Sequence, residues 1–499
     1  MNMKTILKIF CVILLVNQFI GCTDTNQSSD NQAIISDSNA IQPYINPHYE
    51  SQIKKRQKKL ARYIKKNDIP SVAVAVAKNG EIVWEQGFGI ANIEKNIRSS
   101  QHTIYPLASV SKNLTATGMM ALVNKGMVDL EKPVNSYLNT KLKVYHGHEN
   151  DATVKRVLLH TSGLPLFYWG FQMDETKPSL DEVIEKHGII VFPPGERTLY
   201  SNLGYGIIQR IIENVSGESF SDYMKENVLD PLHLSNTFLF TFDSIHNENI
   251  AIEYLNDNSP AIFIESAECG AGGFYSSAHN LLVYGMHHQN NNIPNISPDY
   301  LETMKSAYDP KIGLDGYGLG WGIYDAGTTR IIKHNGGGLG CDTRLTLIPS
   351  EDMVVVVLKN SRLGSSTLIT NILIEAFGEK YSKKYDNYGI SNKSMSAVPG
   401  IWEGNIITFS DSIPVSILIN QDGDVECKIR GAVYQSKVKQ VNGVVEIRIN
   451  EEILHLGPPE EYILFQLSFS DDNAYGSANV GGGESPYCVP SFIELQKHR

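Results

Sequence analysis

The chain has 499 residues, too many for one small module when a domain usually takes about 100–200. Hydrophobic residues make up 42% and charged residues 19%, with 41 Gly and 21 Pro; this is globular composition and excludes a mostly disordered, collagenous or coiled-coil protein. With 43 Lys+Arg against 54 Asp+Glu the formal net charge is -11, and an acidic chain repels a phosphate backbone, so no nucleic-acid partner is expected.

Lys4 and Lys8 open the chain and Ile9 to Val16 form a short apolar run. That run is far shorter than the roughly 20 residues of a membrane span and fits the core of an export signal, so residues 1–21 are expected to be a signal peptide. Gly21-Cys22 resembles a bacterial lipoprotein cleavage box, which implies lipidation at Cys22 and a membrane-anchored place in the bacterial cell envelope, periplasmic or at the surface. Residues 22–48 are polar and suit a tether.

From Tyr49 to Asn67, Ile53, Leu60 and Ile64 recur at helical spacing among eight Lys/Arg residues, which predicts an amphipathic helix with a basic outer face. Ser71–Ala77 reads as a strand, Asn79-Gly80 as a turn and Glu81–Glu85 as the returning strand, a strong hairpin signal. Mixed helices and loops follow to about residue 310, and β patterns return between Tyr317 and Leu358. Strands at both ends of a helical middle predict one α/β domain over 49–378, its sheet mainly antiparallel and built from the two ends. Residues 379–398 read as a linker. Residues 399–499 carry short alternating strands, including PVSILIN, DVECKI, VVEIRI and YILFQLSF, and predict a small β-barrel or sandwich.

Three places carry Ser-x-x-Lys: Ser51/Lys54, Ser109/Lys112 and Ser436/Lys439. On a helix these residues share a face, so an amine can take the hydroxyl proton. Only Ser109 precedes a segment, Leu114 to Val123, that is apolar on nearly every side. A cap explains Ser109 but not a lysine entering a buried helix, where desolvation lowers its pKa and makes it a base. Tyr200-Ser201-Asn202 offers a phenol to shuttle a proton and an amide to orient a lysine and a substrate carbonyl; a helix cap is the plainer reading. His334-Asn335-Gly336 sits on a strand followed by Gly337 and Gly338, where small residues let a substrate lie along the strand edge or mark a bulge.

These three motifs in this order, together with ALVNKGMVDLEKPV, VLLHTSGLP, PPGERTLYSNLGYG, CGAGGFYSSAHNL and YGLGWG, resemble the serine β-lactamase and penicillin-binding-protein superfamily, and within it the class C β-lactamase-like serine hydrolases. The resemblance covers roughly residues 60–380; the C-terminal part is similar to the lipocalin-like β domain attached to some members. It implies Ser109 as the acylated nucleophile, Lys112 as its proton partner, and Tyr200 as base in acylation and acid toward the leaving group. Asn202, His334, Gly336 and Gly337 are then substrate-orienting, with the N–H groups of Ser109 and Gly337 as oxyanion donors.

Where class C β-lactamases carry Lys followed by Thr or Ser, this chain has His334 and Asn335. A histidine is mostly neutral above its reference pKa of about 6.5, which suits a substrate carboxylate poorly. The expectation is therefore an exported peptidase or esterase acting on a small peptide or ester. A β-lactamase or D-alanyl-D-alanine carboxypeptidase is the alternative, and a catalytically weak penicillin- or peptide-binding protein is the competitor of another class. No cofactor is implied. His146-Gly147-His148 lacks the remaining metallo-hydrolase ligands and reads as a loop, and His160 reads as framework. Cys269, Cys341, Cys427 and Cys488 form no C-x-x-C pair; export permits a Cys427–Cys488 disulfide, with four free thiols as the alternative.

Overall fold

In Ser71–Lys78 valine and alanine alternate, and the two residue types part company in space. Val72, Val74 and Val76 point to one face of a sheet and pack with Ile53, Leu60 and Ile64 and with Ile369 and Leu373. Ala73, Ala75 and Ala77 point to the other and join the larger core beneath the helical body. The period of two that separates the faces thus sets a branched side chain against one layer and a small one against the other. These contacts come from a computed structural model, which describes residues 42–306, 316–326, 329–377, 399–441, 444–454, 461–482 and 487–498. The expected signal peptide, Cys22, nearly all of the expected tether and the expected 379–398 linker lie outside the described residues.

The sheet runs antiparallel in the order Glu81–Asn92, Ser71–Lys78, Met353–Lys359, Asp342–Ile348, Thr329–Gly337 and Gly322–Ala326. Its centre joins the two ends of the domain in register, from Met353 opposite Lys78 to Lys359 opposite Val72. The basic helix Glu50–Lys66 lies on the valine face with Ser366–Phe377, its apolar stripe turned inward. The other face carries Ala278–Gln289 and, beyond it, the buried helices Ser111–Asn124 and Asn202–Ser216. This is an antiparallel sheet flanked by helices with a helical body.

Beyond residue 399 eight antiparallel strands run from Gly400–Ile407 to Tyr487–Lys497, and the first pairs with the last, from Trp402 opposite Lys497 to Ile407 opposite Phe492. That closure makes a barrel and excludes the sandwich. Three of its strands, Ala432–Val441, Asn473–Gly482 and Tyr487–Lys497, were not among the expected segments: the first alternates with exposed polar residues and the second is rich in Gly, Ser and Asn. Cys427 and Cys488 form no disulfide, and all four cysteines of the described chain are free. The reason is topological: Cys427 is on Asp424–Ile429, whose partners are the strands 412–419 and 432–441, while Cys488 is on the closing strand.

The closing strand also takes up a strand from the first domain, with Tyr487 opposite Trp169 and Cys488 opposite Tyr168. Nearby, the His146 ring stacks on Tyr475 at 3.8 Å and Tyr145 on Phe492 at 4.3 Å. The His146-Gly147-His148 segment is therefore a contact between domains. Among the described residues no three metal-ligating side chains cluster.

Candidate active site

Ser109 lies in a single 3₁₀ turn, Ala108–Val110, that leads into the helix Ser111–Asn124. The turn is pinned from both sides: the Leu107 N–H donates to Phe274 O at 2.8 Å, and Thr343 Oγ1 donates to Leu107 O at 2.9 Å. Ala108 is held at φ 44°, a left-handed conformation costly for a residue with a Cβ. On Gly336 a Cβ would stand 2.1 Å from Leu107 O. Only a glycine lets the strand Thr329–Gly337 come this close to the nucleophile turn. Gly336 is thus buried and packed against the nucleophile turn.

Lys112 is fully buried. Its Nζ lies 2.8 Å from Ala271 O, 2.9 Å from Asn202 Oδ1 and 3.2 Å from Ser109 Oγ. Burial pulls the amine well below the ordinary lysine range, with the charge of Glu268 acting the other way. A neutral amine has two N–H groups and one lone pair; with Ala271 and Asn202 taking the two donors, the lone pair faces the Ser109 hydroxyl. The loop that supplies Ala271 is fixed by Thr115 Oγ1, which donates to Gly270 O at 2.6 Å, and by Gln209 Oε1, which accepts from Gly270 N at 2.9 Å.

Asn202 opens the helix Asn202–Ser216, and Ser201 caps it by accepting from Gly204 N at 3.1 Å. The capping reading therefore holds for Ser201, while Asn202 turns to the lysine. The Lys112 Nζ stands 4.8 Å from the centre of the Tyr200 ring. Burial pushes the Tyr200 phenol above its ordinary range, and the Ser109 hydroxyl offsets part of this.

His334 Nδ1 lies 2.8 Å from Asn335 O and its Nε2 2.7 Å from the Tyr317 hydroxyl. A carbonyl only accepts, so Nδ1 carries the proton and Nε2 accepts from Tyr317. Burial, then the charge of Lys112, pull the imidazole down to about 3. The third motif is uncharged.

Sequence reasoning read His160 as framework and singled out neither Glu253 nor Glu268. The His160 ring packs 4.3 Å from Tyr200 and 4.6 Å from Tyr317. Glu268 sits beside Lys112, with its carboxyl raised to about 7, mainly by burial. Glu253 shares a cavity lining with Ser109, and Tyr317 holds His334. A histidine in LLHTSG and a glutamate just before CGAGG give no signal alone; only the fold brings them to the serine.

A cavity of about 600 Å³ opens beside the nucleophile, and Ser109, Asn202, Ala271 and Gly337 line it. A Cβ on Gly337 would meet nothing within 4 Å, so the strand end is open to an occupant. Tyr200, His334 and Gly336 do not line this cavity. Tyr200 and His334 belong to the chain of rings running from Lys112 through Tyr200, His160 and Tyr317 to His334.

An antiparallel sheet flanked by helices, with a serine and a buried lysine one turn apart at its edge, is the architecture of the β-lactamase and penicillin-binding class. Residues 56–377 match the model of the Beta-lactamase family, and the chain belongs to that family. Among curated proteins it is 28% identical to "Protein flp" of Staphylococcus aureus over 205 residues, 40% of this chain and 41% of that one. It is 26% identical to "Unguisins hydrolase ungD'" of Aspergillus campestris over 339 residues, 62% of each chain. The match thus spans about two fifths of the flp protein's length. Among solved structures, the octameric penicillin-binding protein homologue from Pyrococcus abyssi aligns over 89% of this chain and 100% of its own, at 23% identity and a TM-score of 0.57, which speaks to fold.

Proposed function

We propose that the chain is a serine hydrolase that cleaves an amide or ester bond through an acyl-enzyme on Ser109. One observation carries this reading: the fully buried Lys112 amine, 3.2 Å from Ser109 Oγ, at a cavity large enough for a small-molecule or peptide substrate. In acylation Lys112 takes the hydroxyl proton as Oγ bonds to the carbonyl carbon, and the carbonyl electron pair moves to oxygen. The N–H groups of Ser109 and Gly337 receive that oxyanion, each such donor being worth about 3–4 kcal/mol. Collapse breaks the bond to the leaving group, which takes a proton from Tyr200, and Lys112 returns one to the phenol. Water then cleaves the ester.

This division gives Lys112 the base role that the resemblance assigned to Tyr200. A buried amine is driven toward its neutral form and a buried phenol toward its protonated form, and the directions at Lys112 and Tyr200 are those. The neutral His334 favours a peptide or ester over a carboxylate-bearing β-lactam. The basic start, apolar run and Cys22 of the sequence support a place at the cell envelope. The test is pre-steady-state kinetics over an ester, a peptide and a cephalosporin. The reading expects a burst of about one leaving group per protein with the ester or peptide; reversible binding of all three without a burst would favour a peptide-holding protein instead.

A further inference from the structure

The helix Glu50–Lys66 separates its residues as sharply as the strand it covers. Ile53, Leu60 and Ile64 are buried against the sheet, while Lys55, Lys58, Arg62, Lys65 and Lys66 are exposed. At 3.6 residues per turn these five fall on the side opposite the apolar stripe. Partners remove little of the charge. Glu50 pairs with Lys54 at 2.7 Å and Glu375 with Lys59 at 3.1 Å, and Arg56 donates to Glu375 O at 3.0 Å. The five outer cations have no ion-pair partner among the described residues. Glu50 is the helix's only acid, so no carboxylate separates Lys58 from Arg62 or Arg62 from Lys66. Like charges four apart weaken a helix standing in water, and an anionic surface would reverse that effect. The chain as a whole is acidic, with a net charge of -11, which sets this face apart.

The helix also follows closely on the expected tether. Tyr44 and Ile45 pair with Glu85 and Trp84, and the turn Pro47–Tyr49 leads straight into Glu50. Between Cys22 and the first described residue, Gln42, the chain spans at most about 70 Å even at full stretch. An anchor at Cys22 would keep the basic face within that distance of lipid. The Ser109 cavity belongs to the helical body on the alanine side of the sheet, whereas the basic helix lies on the valine side. Lipid against the helix would leave the cavity clear.

We propose that the outer face of Glu50–Lys66 docks on an anionic lipid surface, its five unpaired cations meeting phosphate head groups, with the Ser109 cavity on the side away from the lipid. This goes beyond the hydrolase reading and does not depend on it. Head-group charge acts over about one Debye length, roughly 8–10 Å, and a rigid helix lying flat brings all five cations into that layer together. The acidic remainder of the body is repelled, so this face sets the orientation.

The test measures lysine reactivity on the full chain mixed with vesicles of phosphatidylcholine, alone or with phosphatidylglycerol, using a water-soluble acetylating reagent and peptide mass spectrometry. Lys55, Lys58 and Lys65 should react at least about threefold more slowly with the phosphatidylglycerol vesicles, and high salt should abolish the difference. Lys428 and Lys439, exposed on the barrel, should react equally with both. Lys58→Gln combined with Arg62→Gln should remove most of the protection at Lys55 and Lys65; both changed side chains are exposed, so the fold is kept. Equal labelling of the helix with both vesicles would overturn the proposal, as would equal protection of the barrel lysines. Protection by soluble heparin, with none on the anionic vesicles, would assign the face to a soluble polyanion and overturn lipid docking.

Discussion

The Tyr317 hydroxyl donates to His334 Nε2 at 2.7 Å, while His334 Nδ1 donates to the neighbouring Asn335 carbonyl at 2.8 Å. Both ring nitrogens are committed in the neutral tautomer, and burial holds the imidazole near 3. A substrate carboxylate therefore finds no cation in the third motif. A cephalosporin and its carboxylate methyl ester should acylate the protein at rates within about threefold of each other, where a lost charge-assisted hydrogen bond would cost more. Stopped-flow acylation measures this; a free acid faster by more than tenfold would show that a cation does receive the carboxylate.

Lys112 must be neutral to take the Ser109 proton. Burial lowers its pKa well below the ordinary lysine range, and Glu268 raises it. The acylation rate should therefore rise with pH and level off well below the ordinary lysine range. Glu268→Gln removes the charge that favours the ammonium, so the rise should move to lower pH. Lys112→Arg keeps the charge but cannot give up its proton, and should cost about 10²–10⁴-fold in acylation.

Glu268 carries its own signature in stability. Its folded-state pKa is raised from 4.5 to about 7, so the folded state holds the proton more tightly than the unfolded one. The resulting stabilisation is full below the unfolded value and is lost as pH rises through the folded one. The melting temperature should carry a component that falls between about pH 4.5 and 7, and Glu268→Gln, which cannot titrate, should remove it. Calorimetry across that window with both proteins checks the difference.

His160 brackets Tyr200. Its carbonyl accepts from Leu199 N at 2.7 Å, its Nδ1 accepts from Ser201 N at 3.1 Å, and its ring lies against the phenol. It does so at φ 59°, a region that asparagine adopts at less cost than alanine. His160→Ala should leave the Ser201 N–H unsatisfied, costing about 1–3 kcal/mol of stability, and should lower kcat. His160→Asn keeps an acceptor near the Nδ1 position and should recover most of kcat. Recovery of the melting temperature without kcat would show instead that the imidazole ring against Tyr200 is needed beyond its framework contact.

The alternation of SVAVAVA, the Asn79-Gly80 turn and the strands after Tyr317 foretold the sheet, because a period of two on a two-sided core leaves a plain pattern. Lys112 stood out for a related reason: a charge inside an apolar helix demands an explanation. Single residues set in loops gave no such contrast. His160, Glu253 and Glu268 acquire meaning only through tertiary contacts, with Tyr200, Gly340 and Trp169 respectively. The close approach of Gly336 to Leu107 left no trace of its own, because a glycine beside a substrate and a glycine beside backbone look alike in sequence. The barrel strand Asn473–Gly482 hid behind small residues, although its partners leave Ala474, Ala478 and Val480 fully buried.

The central claim is that Ser109, activated by Lys112, becomes covalently acylated. Treating the full chain with a fluorophosphonate and a fluorescent penicillin, then locating the adduct by peptide mass spectrometry, tests it most directly. The account predicts one adduct per chain on Ser109, absent in Ser109→Ala and retained in Ser51→Ala. An adduct on another residue, or none with either reagent or with the ester and peptide substrates, would contradict it.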